Sequence, residues 1–296
     1  MIWRGSPGAC WNSVTTGQQH GGEPSLSDQL RASDQRRPRN DGAAPGPTPD
    51  PDPEPGPEQR SPDEATVWLL RSRGCWAVAA VLLEPSAEHS PGSALLRAEL
   101  LIEGAFFRGR GWSTAENALR LAEAHAGTAE ERSAAACARG YLAYCATLLQ
   151  VHDRLDEAQA ALGRASALLP PNAPGRPLLD FRRGLVAENL LKDPASARTA
   201  LRRAHAGAEQ LQDDLLLSYT WRHLAFIAQQ DGNLAGARHG FAESLRLREL
   251  TGFSVGIAPA LTALAEVSTR ADAALLRAQA ARLTDAFGQV PVPLAG

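Results

Sequence analysis

The chain has 296 residues, of which 44% are apolar and only 5% are aromatic. Its 30 basic residues are balanced by 33 acidic ones, so it lacks the basic excess that direct nucleic-acid binding needs. Alanine and leucine are abundant, and both favour helices over sheets. These numbers predict an all-α protein that does not bind nucleic acid directly.

Residues 1–61 are predicted to form a disordered, proline-rich N-terminal segment. Seven of the thirteen residues from Pro45 to Pro57 are proline, and Gly, Asp and Glu stand between most of them. Such a segment buries too little apolar surface to offset the entropy lost on ordering. A plain spacer, a stretch upstream of the real start codon and a ligand for a proline-recognising groove remain the alternative interpretations.

Helical signals begin at Ser61-Pro62, where a good N-cap residue is followed by proline at the first helical position. We expect one helix from there to about Leu83, ending before Pro85. A second start follows at Ser90-Pro91. The folded part is predicted to span residues 62–290.

The stretch from Trp221 to Phe241 carries the strongest pattern of the chain. It reads W-x2-L-A, then a turn at Asp231-Gly232-Asn233, then A-x3-F. Large side chains in this order fill the space between two paired helices, and the alanines let the two backbones approach. The stretch therefore resembles a tetratricopeptide repeat, a helix, a tight turn and a second helix.

Similar units precede and follow this stretch, which predicts about five helix pairs. The alanines that follow the turns, Ala115, Ala158, Ala197 and Ala237, are 43, 39 and 40 residues apart. Tetratricopeptide units repeat at about 34 residues, whereas armadillo and HEAT units repeat at about 40–47, so the latter are the competing interpretation. The third unit has a turn one residue longer than the pattern. The last unit runs from about Ser254 to Phe287, and its predicted core residues are Leu261, Leu264, Leu275, Leu276, Ala280 and Leu283.

The resemblance implies an all-α, right-handed superhelical solenoid of antiparallel helix pairs. In such solenoids the first helices of successive units line a concave groove that binds a protein or peptide. Matching the fourth unit to the pattern places Tyr219, Arg222, Phe226 and Gln229 on this groove. The third unit contributes Arg182, Leu185 and Asn189. Arginine and aromatic side chains suit the recognition of an extended or carboxylate-bearing segment.

A narrower resemblance concerns the C-terminal part, from Phe241 onward. Its Ala-rich last helix and short Gly/Pro tail, Ala281 to Pro293, are similar to the C-terminal tetratricopeptide region of actinobacterial LuxR-type and AfsR-type regulators. The P-loop ATPase and helix-turn-helix modules of that family have no counterpart in the sequence. The resemblance implies a regulatory module that acts through a separate ATPase or DNA-binding partner, and this is the alternative to a protein-binding scaffold.

No motif for catalysis, a cofactor or a metal is found in the sequence. The four cysteines form no C-x2-C pair, and H-E-x2-H, G-x-S-x-G and G-x-G-x2-G are absent. Cys137 and Cys145 are eight residues apart, which predicts two small core residues on one helix face. We therefore expect no enzyme, no cofactor and no metal.

The remaining expectations concern location. No N-terminal apolar segment of the signal type occurs, and the longest apolar run, Cys75 to Leu83, is too short to cross a bilayer. We expect a cytoplasmic protein with a protein or peptide partner and no membrane association.

Overall fold

The computed structural model describes residues 62–287, a range that contains helices and no β-strand. The predicted all-α class is therefore confirmed for this range. The predicted disorder of residues 1–61 lies outside the described residues and stays a prediction. The helices are α1 Pro62–Ser72, α2 Trp76–Leu82, α3 Glu84–Ala87, α4 Pro91–Arg108, α5 Trp112–His125, α6 Ala129–Leu148, α7 Leu155–Leu168, α8 Arg176–Val186, α9 Pro194–Gln210, α10 Asp214–Gln230, α11 Leu234–Leu250, α12 Ile257–Glu266 and α13 Arg270–Phe287.

Helices α4 to α13 form five consecutive hairpins, and the described residues from Thr66 onward belong to one compact unit. The pairs are α4–α5, α6–α7, α8–α9, α10–α11 and α12–α13, and the two helices of each pair pack extensively against each other. The second helix of each hairpin also packs against the first helix of the next. The first helices α4, α6 and α8 contact one another in sequence. Every hairpin thus buries its apolar faces against its own partner and its neighbours.

Small residues mark where paired helices approach most closely. A Cβ atom added to Gly140 of α6 would lie 2.6 Å from the Cγ atom of Leu162 on α7. In the fourth hairpin, a Cβ atom on Gly240 would lie 2.9 Å from that of Ala225. Ala237, which follows the turn, has no exposed surface. These positions need a small side chain because the facing helix occupies the space.

The longer turn of the third unit is explained by one extra residue at the end of its first helix. Helix α8 continues into a π-helical turn, Ala187–Leu191, which holds one residue more than an α-turn. Lys192 then adopts a left-handed conformation with φ of 55°. Asp193 caps α9 by accepting a hydrogen bond from the backbone N–H of Ser196 at 3.0 Å. Asp193 and Pro194 thus form the N-terminus of α9, and the longer turn of the third unit is accommodated before them.

The first predicted helix is wrong in its extent. The chain breaks after α1, Gly74 takes a positive φ of 76°, and α2 begins at Trp76. Arg108 of α4 fixes this break by donating a hydrogen bond from Nη2 to the carbonyl oxygen of Gly74 at 2.8 Å. Pro85 does not end a helix but lies in the first turn of α3, a position that proline tolerates because the N–H there has no partner within the helix.

Leu275, which the sequence predicts to be a core residue, is 71% exposed. It lies on α13, the last described helix, which packs against α12. Since no described helix follows α13, part of its surface faces solvent, and an apolar residue there need not be buried.

An ion network ties the first two hairpins together. Arg139 of α6 pairs with Glu116 and Glu123 of α5, the latter at 2.6 Å. Arg154, just before α7, contacts Glu116 at 3.2 Å and Glu157 at 2.6 Å. Because Arg139 is almost fully buried and shares its carboxylates with Arg154, these contacts fix the position of α6 and α7 relative to α5.

Candidate functional site

Polar and aromatic side chains of the first helices α4, α6, α8 and α10 meet on one side of the hairpins, here called the inner face. Most of them are linked to a neighbouring member by an ion pair, a ring contact or a hydrogen bond. The members are Glu99 and Glu103 on α4, Tyr141 and Tyr144 on α6, Phe181 and Arg182 on α8, Asn189 in the π-turn, and Tyr219 and Arg222 on α10.

Arg182 connects three hairpins on this face. Its Nη2 atom lies 2.7 Å from Glu99, its Nη1 atom 3.4 Å from the Sγ atom of Cys137, and its guanidinium 4.7 Å from the centre of the Tyr141 ring. It is only 7% exposed. A buried guanidinium needs such compensation because desolvation is costly. Arg182 is therefore tied within the fold rather than presented to solvent.

The other two predicted groove residues of the third unit are also engaged. Leu185 is buried in the core. The Nδ2 atom of Asn189 donates to the hydroxyl of Tyr144 and to the carbonyl oxygen of Leu185, both at 3.1 Å. The structure thus brings the α8 residues to the inner face, with Arg182 and Leu185 covered. Their role in binding stays a prediction.

Tyr219 joins the third hairpin to the loop that follows α11. Its ring stacks on Phe181 with centroids 5.9 Å apart and meets Phe253 edge-on at 6.0 Å. Burial raises the pKa of the Tyr219 phenol, so the hydroxyl is neutral near neutral pH. Tyr219 is half-buried and belongs to the aromatic floor of the inner face.

Arg222, Phe226 and Gln229 follow one another along α10 and form the accessible part of the inner face, here called the α10 stripe. Their spacing of four and three residues places them on one side of the helix. Phe226 is 40% exposed, and Gln229 is half-buried. The stripe joins an exposed aromatic ring to a positive charge.

The guanidinium of Arg222 is poorly compensated. Its Nε atom is buried without a hydrogen-bond partner, and Arg222 forms no ion pair with any residue in 62–287. Burial lowers the pKa of Arg222, and the nearby carboxylate of Glu188 only partly opposes this effect. A carboxylate that reached this position would relieve the unfavourable burial of the positive charge.

Glu188, His223 and Arg248 surround the α10 stripe and were not predicted from the sequence. The Oε2 atom of Glu188 lies 2.6 Å from Nδ1 of His223, while its Oε1 atom is buried without a partner. Arg248 is 3% exposed and donates from Nη1 to the carbonyl oxygen of Gly256 at 2.6 Å. Burial, aided by the charge of Arg222, lowers the pKa of Arg248 to about 10. No sequence signal distinguishes Arg248 from the surface arginines of α11.

The inner face also holds α1. The Nε atom of Arg71 lies 2.8 Å from Oε2 of Glu103, and the ring of Trp68 lies 6.2 Å from that of Phe253. Val67 is buried in the same apolar cluster as Leu100 of α4. Helix α1 therefore contacts both the first hairpin and the loop between α11 and α12.

A separate concavity lies where the start of α4, the end of α5 and the start of α6 meet the loop before α8. Its walls are mostly apolar, and two of its polar side chains are engaged within the fold. Ser133 donates to the carbonyl oxygen of Ala165 at 2.9 Å, and Glu131 accepts from the backbone of Gly127 and Thr128. Glu130 is exposed at the edge of the concavity.

The candidate metal ligands and the cysteines of the described residues are dispersed. No group of three or more His, Cys, Asp or Glu side chains that could hold a metal ion occurs between residues 62 and 287. Cys137 and Cys145 are buried core residues, as predicted, and burial raises the pKa of both thiols. Within the same range, the helices are all too short or too polar to cross a membrane.

Comparison with known proteins identifies a fold and no family. The chain matches no protein-family model and no curated protein. Its structure is similar to the crystal structure of BtubC (BKLC) from P. vanneervenii, with a TM-score of 0.50 and 13% sequence identity. The similarity covers 77% of this chain and 93% of that one. At this identity, the likeness concerns the arrangement of helices alone.

Proposed function

We propose that the chain is a tetratricopeptide-like, right-handed helical solenoid that binds a protein or peptide segment on its inner face. The observation that carries the proposal is the α10 stripe. There, an exposed phenylalanine lies one helical turn from a guanidinium whose buried Nε atom has no partner. Its helix is the first of the unit in which W-x2-L-A and A-x3-F occur together.

The chemistry of the α10 stripe favours a protein ligand that carries a carboxylate. Arginine and aromatic residues are enriched among the side chains that contribute most to protein–protein binding. The planar guanidinium donates paired hydrogen bonds that match a carboxylate. Phe226 supplies apolar area, and Arg222 supplies charge that no carboxylate neutralises directly within the described fold. A segment with an apolar residue next to Asp, Glu or a chain terminus fits both.

A regulatory role is the alternative, in which the bound partner is a separately encoded ATPase or DNA-binding protein. It is supported by the resemblance of the C-terminal stretch to actinobacterial regulators. Both roles use the same surface. They differ in the identity of the protein that the surface captures.

The proposal is tested by capturing partners from native lysate with the full chain and with two double variants. Arg222→Ala/Phe226→Ala removes the α10 stripe. Arg202→Ala/Leu234→Ala removes one arginine and one large apolar residue that are exposed elsewhere, and it is the matched control. We expect proteins retained by the parent and the control to be lost with the stripe variant, and mass spectrometry to identify them.

Melting curves separate binding from folding. Phe226 is partly exposed and Arg222 lacks an ion pair in the described fold, so the stripe variant should melt within a few degrees of the parent. If the stripe variant is folded and retains the same proteins as the parent, the proposed function is wrong. A large loss of stability with Phe226→Ala alone would show that this residue serves the fold instead.

A further inference from the structure

Helix α1 packs on the inner face as a short helix that contacts two distant parts of the fold. It contacts Glu103 of α4 through Arg71 and Phe253 of the α11–α12 loop through Trp68. Trp68 and Phe253 are 185 positions apart in the sequence. One short helix thus bridges the first hairpin and the loop before the fifth.

The two contacts differ in chemistry and are arranged on one side of α1. Arg71 and Trp68 are three residues apart, so they project from the same side, and the guanidinium lies 5.9 Å from the centre of the Trp68 ring. Glu103 is nearly buried, and its carboxylate is hydrogen-bonded to Nε of Arg71. Burial alone would lower the pKa of Arg71, but the charge of Glu103 raises it above its usual value. On the inner face, the acidic Glu103 thus pairs with the basic Arg71, and the aromatic Phe253 contacts the aromatic Trp68.

Helix α1 is attached less firmly than α2. Trp76 of α2 is buried, stacks on Phe107 at 5.0 Å and packs against Gly104 of α4. Helix α1 is joined to α2 through Gly74, which already has a left-handed conformation. Its outward side carries Leu69, an exposed residue. Release of α1 would remove Val67 from the apolar cluster that it shares with Trp76 and Leu100, but it would keep the stacking of Trp76 on Phe107. It would also expose the part of Phe253 that Trp68 covers.

We propose that the inner face is a receptor for a short amphipathic helix that carries an aromatic and a basic residue three positions apart. In the free chain, residues 66–72 occupy this receptor, and a partner helix of the same chemistry competes with them. The inference rests on the proposed function of the inner face as a binding surface. It adds a second contact region, at Glu103 and Phe253, beside the carboxylate position at Arg222, and it names the helix that occupies this region in the free chain. An intramolecular ligand acts at an effective concentration of the order of a millimolar. The apparent affinity for a partner is then the intrinsic affinity multiplied by the fraction of receptors that α1 leaves free.

A labelled peptide of residues 62–73 tests the inference by fluorescence anisotropy. The full chain with Trp68→Ala/Arg71→Ala should bind this peptide about tenfold or more tightly than the parent chain, because its own helix no longer competes. Leu69→Ala, on the outward side of α1, is the matched control and should bind like the parent. A peptide with both contact residues replaced by alanine should not bind. Equal binding to the parent and the double variant, or no binding to either, would overturn the inference.

Exchanging the charges of Arg71 and Glu103 provides a second test, which applies even if Trp68→Ala/Arg71→Ala unfolds. Arg71→Glu places two carboxylates together, and hydrogen exchange at residues 66–72 should become faster while α6 to α11 remain protected. Adding Glu103→Arg restores an opposite pair and should restore protection. If exchange in α1 is unchanged by Arg71→Glu, or if the second substitution fails to restore it, α1 is not held as proposed. These measurements use no lysate partner, so their failure is distinct from failure of the proposed function.

Discussion

Substitution of Gly140 by alanine tests the pairing of α6 with α7. In an exposed helix, Gly→Ala stabilises by about 0.5–1 kcal/mol, because alanine loses less conformational entropy on folding. At Gly140 the new Cβ atom would lie 2.6 Å and 2.7 Å from two side-chain carbons of Leu162, and 3.3 Å from the carbonyl oxygen of Ala158. Contacts this short force buried side chains or backbone to shift, at a cost of about 1–3 kcal/mol.

The second glycine of the same hairpin supplies the control. Gly163 lies on α7 beside Leu162, and a Cβ atom there would meet nothing within 4 Å. Gly163→Ala should therefore stabilise by the propensity gain alone, about 0.5–1 kcal/mol. Gly140→Ala combines the same gain with the steric cost and should destabilise by about 0.5–2 kcal/mol. The two Gly→Ala substitutions thus shift stability in opposite directions.

Thermal and denaturant unfolding, followed by far-UV circular dichroism, measure the difference. For a domain of this size, 1 kcal/mol corresponds to a shift in melting temperature of about 2–4 °C. Leu162→Ala removes the obstructing atoms, and in that background Gly140→Ala should become neutral or stabilising. If Gly140→Ala stabilises the parent as much as Gly163→Ala does, the close approach of α6 and α7 at this glycine is refuted.

Two further predictions concern the fourth hairpin and the ion network. Ala237→Leu should lower the free energy of unfolding by about 1–3 kcal/mol, because Ala237 has no exposed surface and a larger side chain would overpack the site. An unchanged midpoint of denaturant unfolding would contradict the packing of Ala237 between α10 and α11. Burial alone would raise the pKa of Glu116, but Arg139 and Arg154 lower this pKa below its ordinary value of 4.5. The ionised Glu116 therefore stabilises the fold at pH values above 4.5, and this stabilisation is lost as the pH falls through the lowered pKa. Glu116→Gln should therefore destabilise the protein at neutral pH and reduce its loss of stability under acid conditions, whereas equal acid sensitivity of parent and variant would refute this role.

Local sequence patterns predict the hairpins well because each depends on a few residues close together. The small residues after each turn, Ala158 and Ala197 among them, are fully buried. Asn233 ends the predicted turn of the fourth unit and caps α11 by accepting from the backbone N–H of Gly236 at 2.9 Å. Side-chain size and capping chemistry act within one hairpin and are therefore visible in the sequence.

The same pattern predicts that Trp221 lies in the gap between paired helices, and its contact with α11 is confirmed. The ring of Trp221 lies 5.3 Å from that of His239 on α11, and a Cβ atom added to Gly240 would lie 3.3 Å from a ring carbon of Trp221. The half-buried indole also contacts the ring of His205 in the preceding hairpin at 4.7 Å. The repeat pattern thus identifies the contact within the hairpin but does not reveal the contact with the preceding hairpin.

Long-range contacts account for the parts of the candidate site that the sequence does not predict. Arg182 and Glu99 are 83 residues apart, and nothing local indicates that they pair. Helix α1 shows the same limit, because its partner Glu103 lies in the first hairpin and its partner Phe253 in the loop between the fourth and fifth hairpins. A repeat pattern identifies which residues belong to first helices. It does not show which of them are covered by another part of the same chain.

Four buried or half-buried arginines among the described residues fall into two groups, and the difference separates stability from binding. Arg139 and Arg182 each pair with a carboxylate from another hairpin, so removing either would leave a charge unpaired and loosen the contact between hairpins. Arg222 and Arg248 have no such pair within residues 62–287, and burial lowers the pKa of both. Their desolvation is a cost to the folded chain that a bound carboxylate would reduce. Residues that weaken the free fold and strengthen a complex are expected at binding sites, which is why the α10 stripe is a better candidate than the fully paired Arg182.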